Sequence, residues 1–125
     1  TYLPEWNYNG IGDITNDEGY QVKTFYDVSL DICGLQVLPE ENPLNLLSGW
    51  NLISYLREEP ADVASVVASL VANNNLVIFK DNDGMVYLPE WDYNGIGDMV
   101  PTQGYQLKVN QAAVLDYLPN GETYE

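Results

Sequence analysis

Short runs of apolar residues, separated by glycine, proline and asparagine, set the pattern of this chain. Gly49–Leu56 (GWNLISYL) mixes aromatic and branched apolar residues, which predicts a strand. From about residue 60 the period changes. Val63, Val66, Val67, Leu70 and Val71 follow the i, i+3, i+4, i+7, i+8 spacing of one helical face, so an amphipathic helix is predicted over about 60–73. Pro60 suits its first turn, Glu58, Glu59 and Asp62 complement the positive end of its dipole, and Asn73–Asn75 end it. Leu76–Lys80 (LVIFK) and Met85–Leu88 flank the turn residues Asp81–Gly84 and predict a β-hairpin. Gly104–Val109 and Ala113–Leu118 predict two further strands. One helix among six to eight short strands implies an α+β fold with mainly antiparallel β-structure, a small barrel or sandwich-like sheet.

A second pattern lies over the first. Tyr2–Asp13 reads YLPEWNYNGIGD and Tyr87–Asp98 reads YLPEWDYNGIGD, identical at eleven of twelve positions. The offset of 85 persists: Gly19–Lys23 (GYQVK) matches Gly104–Lys108 (GYQLK), and Leu30-Asp31 matches Leu115-Asp116. Residues 49–118 then form a complete unit, 34–48 a connector with a polar break at Pro39–Pro43, and 119–125 a tail. Residues 1–33 are the back part of a preceding unit, with Tyr20–Phe25 and Val28–Cys33 as its strands and Leu35–Leu38 extending them. Such a fragment cannot bury enough apolar surface to fold alone. It is expected to pack on the complete unit, or to be exchanged in a domain-swapped homodimer. The abrupt start at Thr1 reads as a piece of something longer.

Composition narrows the function classes. The chain has 125 residues, four Lys+Arg against 19 Asp+Glu, and a formal net charge of −15, which opposes binding to nucleic-acid phosphates. Without histidine, no His-based triad or His-ligated metal can form within it. No apolar run approaches the roughly 18 residues of a membrane-spanning helix, so membrane insertion is not expected. The single cysteine, Cys33, lies in an apolar run and is expected to be a buried small hydrophobe.

The ordered series GWNLISYL, a short helix, NLVIFKDNDGMVYLPEWDYNGIGD and GYQLKV resembles a tandem repeat module found in large secreted or surface proteins of marine and Bacteroidota-type bacteria. The stretch LPEENPLNLLSGWNLISYLR is similar to the joint between its copies. The resemblance implies a secreted or cell-surface location, neighbouring repeats of the same protein as partners, and a structural or adhesion task rather than an enzymatic one. It points to no particular functional residues.

The residues present bear on three kinds of chemistry. A glycosidase-type acid pair needs two carboxyls about 5 Å apart, one with a raised pKa, and nineteen acids would bring some pair close by chance. Calcium, the one candidate ion, prefers carboxylate and carbonyl oxygens. Asp81 and Asp83 with Gly84 resemble a fragment of a calcium loop, but Phe79 stands where the first ligand belongs, so turn chemistry explains them better. The glycine-rich loops add Asp13, Asp92 and Asp98 as candidate ligands. Trp6 and Tyr8, repeated as Trp91 and Tyr93, stand at i, i+2 and in extended backbone would share a face. Exposed, they would form a stacking platform for a glycan; the expectation is that they cover the sheet or fill the core. Trp50 is expected to anchor the core, and Tyr20 and Tyr105 to pack in the core or against turns.

Overall fold

The computed structural model describes residues 1–125. In chain order its elements are β1 (Tyr2–Leu3), β2 (Tyr8–Asn9), β3 (Leu44–Leu46), β4 (Gly49–Ser54), β5 (Ala61–Asp62), α1 (Val63–Val66), α2 (Ala68–Ala72), β6 (Leu76–Lys80), β7 (Val86–Leu88), β8 (Tyr93–Asn94), β9 (Asp98–Met99), β10 (Gly104–Val109) and β11 (Ala113–Leu115). The fold is α+β and β-rich, with antiparallel pairing throughout.

β10 holds the main sheet together. The strand order is β4-β10-β6-β7-β8, with Leu107 opposite Asn51 on one side and Phe79 on the other. Tyr105, Leu107 and Val109 are buried while Lys108 is exposed, the alternation that a sheet covered on one face requires. The buried side chains of β4, β6, β10 and β11 join Val63, Val66, Val67 and Leu70 of the helical segment in one apolar core. The β6–β7 turn is closed by Asp81, whose Oδ1 accepts the amides of Asp83 (2.9 Å) and Met85 (2.8 Å). Gly84 supplies the positive φ of +85° that the turn needs.

The helix expected over 60–73 is two shorter ones, α1 and α2, which meet at Val67 (φ −98°, ψ 15°). Val66 and Val67 are both buried at this junction, and the Val67 amide still bonds to Val63 O at 3.0 Å. Pro60 does not start the helix. Ala61–Asp62 first pairs with β9, and Asp62 then caps α1 by accepting the Ser65 amide at 3.1 Å. Glu58 and Glu59 therefore lie outside the first turn. The C-terminal end is as expected. Asn74 takes a left-handed φ of 52°, its amide bonds to Val71 O, and that of Asn75 reaches Leu70 O, both at 2.9 Å.

The connector contributes to the core, whereas two expectations nearer the N-terminus fail. Within the connector 34–48, Leu44 and Leu46 are buried, and β3 pairs with β11. The run LNL is too short to read as a strand from its own pattern; the partner strand makes it one. Tyr20–Phe25 and Val28–Cys33 form no strand, and Leu35 and Leu38 are exposed as well. Cys33 is exposed rather than buried. The N-terminal copy meets the rest of the molecule along a short line. Glu18 bridges Ile53, the Gly19 amide bonds to Leu52 O at 3.2 Å, and Ser54 Oγ donates to Asn16 O at 2.5 Å. A strand is ordered by its neighbours, and beyond this short contact with β4 no strand lies beside residues 20–24.

Candidate functional site

The duplicated motif folds the same way twice. In each copy a short strand leads into a one-turn 3-10 helix, Pro4–Trp6 or Pro89–Trp91. A left-handed residue follows, Asn7 (φ 48°) or Asp92 (φ 50°), and the chain returns as a second strand, pairing Leu3 with Tyr8 or Leu88 with Tyr93. An asparagine then closes the glycine loop. Asn9 Oδ1 accepts the Ile11 and Gly12 amides at 3.1 and 2.9 Å, and Asn94 Oδ1 accepts those of Ile96 and Gly97 at the same distances. Gly12 and Gly97 sit at φ +77° and +73°, where a side chain would be strained. The Tyr20 hydroxyl accepts the Thr15 amide at 2.9 Å, as the Tyr105 hydroxyl accepts that of Val100 at 2.8 Å. Tyr105 is buried in the core as expected, whereas Tyr20 stays 36% exposed.

This geometry decides the position of the aromatic rings. Trp6 and Trp91 are each 75% exposed, and Tyr8 and Tyr93 are exposed too. They neither fill the core nor cover the sheet. The reason is the turn: the tryptophan ends a 3-10 helix and the next residue is left-handed, so the extended-chain rule for i, i+2 does not apply. Each tyrosine ring folds back over the following glycine. A Cβ on Gly95 would lie 2.9 Å from the Tyr93 hydroxyl, and one on Gly10 2.6 Å from that of Tyr8.

A second aromatic surface was not legible in the sequence. Trp50, expected in the core, is 55% exposed on the open face of β4. Lys108 is its cross-strand partner, and Lys80 Nζ lies 5.9 Å from its ring centroid. Trp50, Asn51, Leu52 and Gln106 line a shallow depression of about 380 Å³. Two of the chain's four basic residues thus lie close to one exposed indole, both on its β10 side. The alternation of GWNLIS carried the signal, since Trp50 shares a parity with Leu52 and opposes the buried Ile53. Only the register with β10 shows which parity faces out.

The acidic candidates are dispersed. Asp81 and Asp83 remain in the β6–β7 turn, with Asp81 committed to two amides. Asp13 lies in the N-terminal copy, and Asp92 and Asp98 in the second motif. Asp98 faces Asp62 across the β5–β9 pair, and Asp62 Oδ1 accepts from Asn94 Nδ2 at 3.1 Å. No three acidic residues gather in a cluster able to hold a metal ion. Burial, and then the negative charges of Asp62 and Asp92, raise the pKa of the Tyr87 phenol.

Beside this pair is a cavity of about 340 Å³ whose wall includes Asp62, Asp98, Ser65, Arg57, Glu122 and Tyr124. Arg57 is buried under the C-terminal tail. Its Nη2 donates to Glu59 Oε2 (3.2 Å), to Pro119 O (3.3 Å) and to Glu122 O, and its guanidinium lies 5.1 Å from the Tyr124 ring centroid. These bonds fasten the tail to the fold. No helix is long and apolar enough to cross a membrane. Comparison of the chain with protein-family models, with curated proteins and with solved structures returns no match.

Proposed function

We propose that this chain is a non-catalytic structural or adhesion repeat module of a larger extracellular or cell-surface protein. The observation that carries the reading is the duplication at the level of structure. Two copies of one motif fold alike and each presents the same exposed tryptophan and tyrosine. A spacer or adhesion element works by presenting one surface repeatedly, and neighbouring units stack through contacts of the same kind. The resemblance to tandem modules of secreted bacterial proteins supports the same conclusion, and with it a secreted or surface location. A net charge of −15 suits a salt-rich exterior, where screening weakens self-repulsion.

Ring exposure favours a second reading, a carbohydrate-binding module. Trp91 and Tyr93, with Trp6 and Tyr8, would offer their faces to sugar rings, and Trp50 beside two lysines would suit an acidic sugar. A glycan array separates the readings. Retention of a glycan by the native chain, lost in Trp91→Ala or Trp50→Ala, supports carbohydrate binding. Absence of retention across neutral and acidic glycans removes it and leaves the structural reading. Release of sugar from a polysaccharide panel would overturn both, because each assigns the chain no catalysis.

A further inference from the structure

We propose that residues 19–33 are a receiving segment for a polypeptide that presents strands like β3, β4 and β6. The inference rests on the repeat-module reading and names its partner. Along this segment the residue pattern and the environment disagree. In the complete unit the buried positions of β10, of β11 and of the residues just after β11 include Tyr105, Leu107, Leu115 and Tyr117. Subtracting 85 gives Tyr20, Val22, Leu30 and Ile32, and Ala113, packed against the core, corresponds to Val28. These residue types correspond, although buried Val109 has the polar Thr24 as its counterpart, and the surroundings differ. Leu107 is 0% exposed and Val22 81%; Leu115 is 1% and Leu30 76%.

The polar positions agree with the same assignment. Lys23 and Asp31 correspond to Lys108 and Asp116, which face solvent in the complete unit. Residues 19–33 therefore carry the alternation of a central strand and its neighbour while lacking anything to alternate against. What fills the gap follows from the complete unit. β10 lies between β4 and β6, and β11 lies against β3. The occupant that fits is a front half with the chemistry of residues 38–85. A second copy of this chain is a poor donor, because its own β10 already occupies the slot between β4 and β6. Pairing through main-chain hydrogen bonds, with alternate side chains entering a core, is β-strand addition.

The test lengthens the native chain by a second copy of residues 38–85 placed directly before Thr1, which preserves the offset of 85. Amide exchange is read at residues 20–32. The expected result is slowing by at least about 100-fold relative to the native chain, and its loss in the lengthened chain carrying Val22→Asp with Leu30→Asp. Exchange in Gly104–Val109 reports that the complete unit remains folded in every sample. As a second measurement, a free peptide of residues 38–85 is titrated into the native chain and the same amides are followed. Unchanged exchange at 20–32 in both experiments overturns the proposal, as does protection that survives the double substitution. Protection appearing in the native chain alone, together with a dimeric mass, also overturns it by making a second copy the occupant. None of these results alters the glycan and hydrolysis measurements, so the partner can be wrong while the module reading stands.

Discussion

Arg57→Ala tests whether the C-terminal tail is fastened by one buried guanidinium. The wild-type side chain is 2% exposed and bonds to two tail carbonyls, Pro119 O and Glu122 O. A hydrogen bond to a charged group contributes about 1.5–3 kcal/mol, and truncation leaves both carbonyls without this donor. The guanidinium–Tyr124 contact adds about 1 kcal/mol. The Glu59 ion pair adds at most about 1 kcal/mol, because that carboxylate is 47% exposed and water can replace its partner. Against these gains stands desolvation of the guanidinium, a cost of several kcal/mol. It is heightened here because Nε is buried without a hydrogen-bond partner. The balance predicts a loss of about 2–4 kcal/mol on truncation. Urea unfolding measures it, as a fall in the midpoint at unchanged slope. Amide exchange should accelerate at Leu118 and Gly121, whose amides bond to Tyr124 and Glu59 in the native latch. A loss below about 0.5 kcal/mol, with unchanged exchange in the tail, would refute the latch.

Three other outcomes follow from local geometry. Burial first of all raises the phenols of Tyr55 (to about 12), Tyr105 and Tyr117 above the usual 10, so the neutral forms favour the folded state. Their contribution is complete below pH 10 and is lost as pH climbs through the raised folded values; a phenolate absorbance titration should therefore show these tyrosines ionising late, together with unfolding. Early, independent ionisation of all ten tyrosines would contradict this. Asp62→Ala removes the α1 cap and the Asn94 contact and should cost about 1–2 kcal/mol by thermal or urea unfolding, with Asp62→Asn recovering most of it. Gly19→Ala would place a Cβ 2.7 Å from Ile53 O and should release the N-terminal copy from β4, whereas Gly104→Ala meets nothing closer than 3.7 Å and should leave it attached; exchange of the backbone amide at position 19 reads the difference.

Much of the fold was readable in the linear pattern wherever a segment's preference and its surroundings agree. Leu76–Lys80, the turn at Asp81–Gly84 and Gly104–Val109 are strands and turn as expected, because β-prone residues there meet partner strands on the same chain. The helical stripe from Val63 to Val71 and its asparagine stop also follow from local spacing. The α1 cap was harder to see. Choosing Asp62 over Pro60 depends on β9, a two-residue strand distant in sequence that holds Ala61–Asp62 extended.

The candidate surface was less legible, since exposure belongs to the assembled sheet and turn. Trp50 and Trp91 are residues whose type predicts burial. Register with β10 turns the first outward, and a left-handed Asp92 turns the second outward.

Residues 19–33 show the same division. Their sequence determined which positions would be buried in a strand. Tertiary structure decided that they are not, because a strand needs at least one neighbouring strand and other segments to cover one face of its side chains. The duplication, the alternation and the turn chemistry are properties of the chain itself; pairing, exposure and the fastening of the tail arise only when distant segments meet.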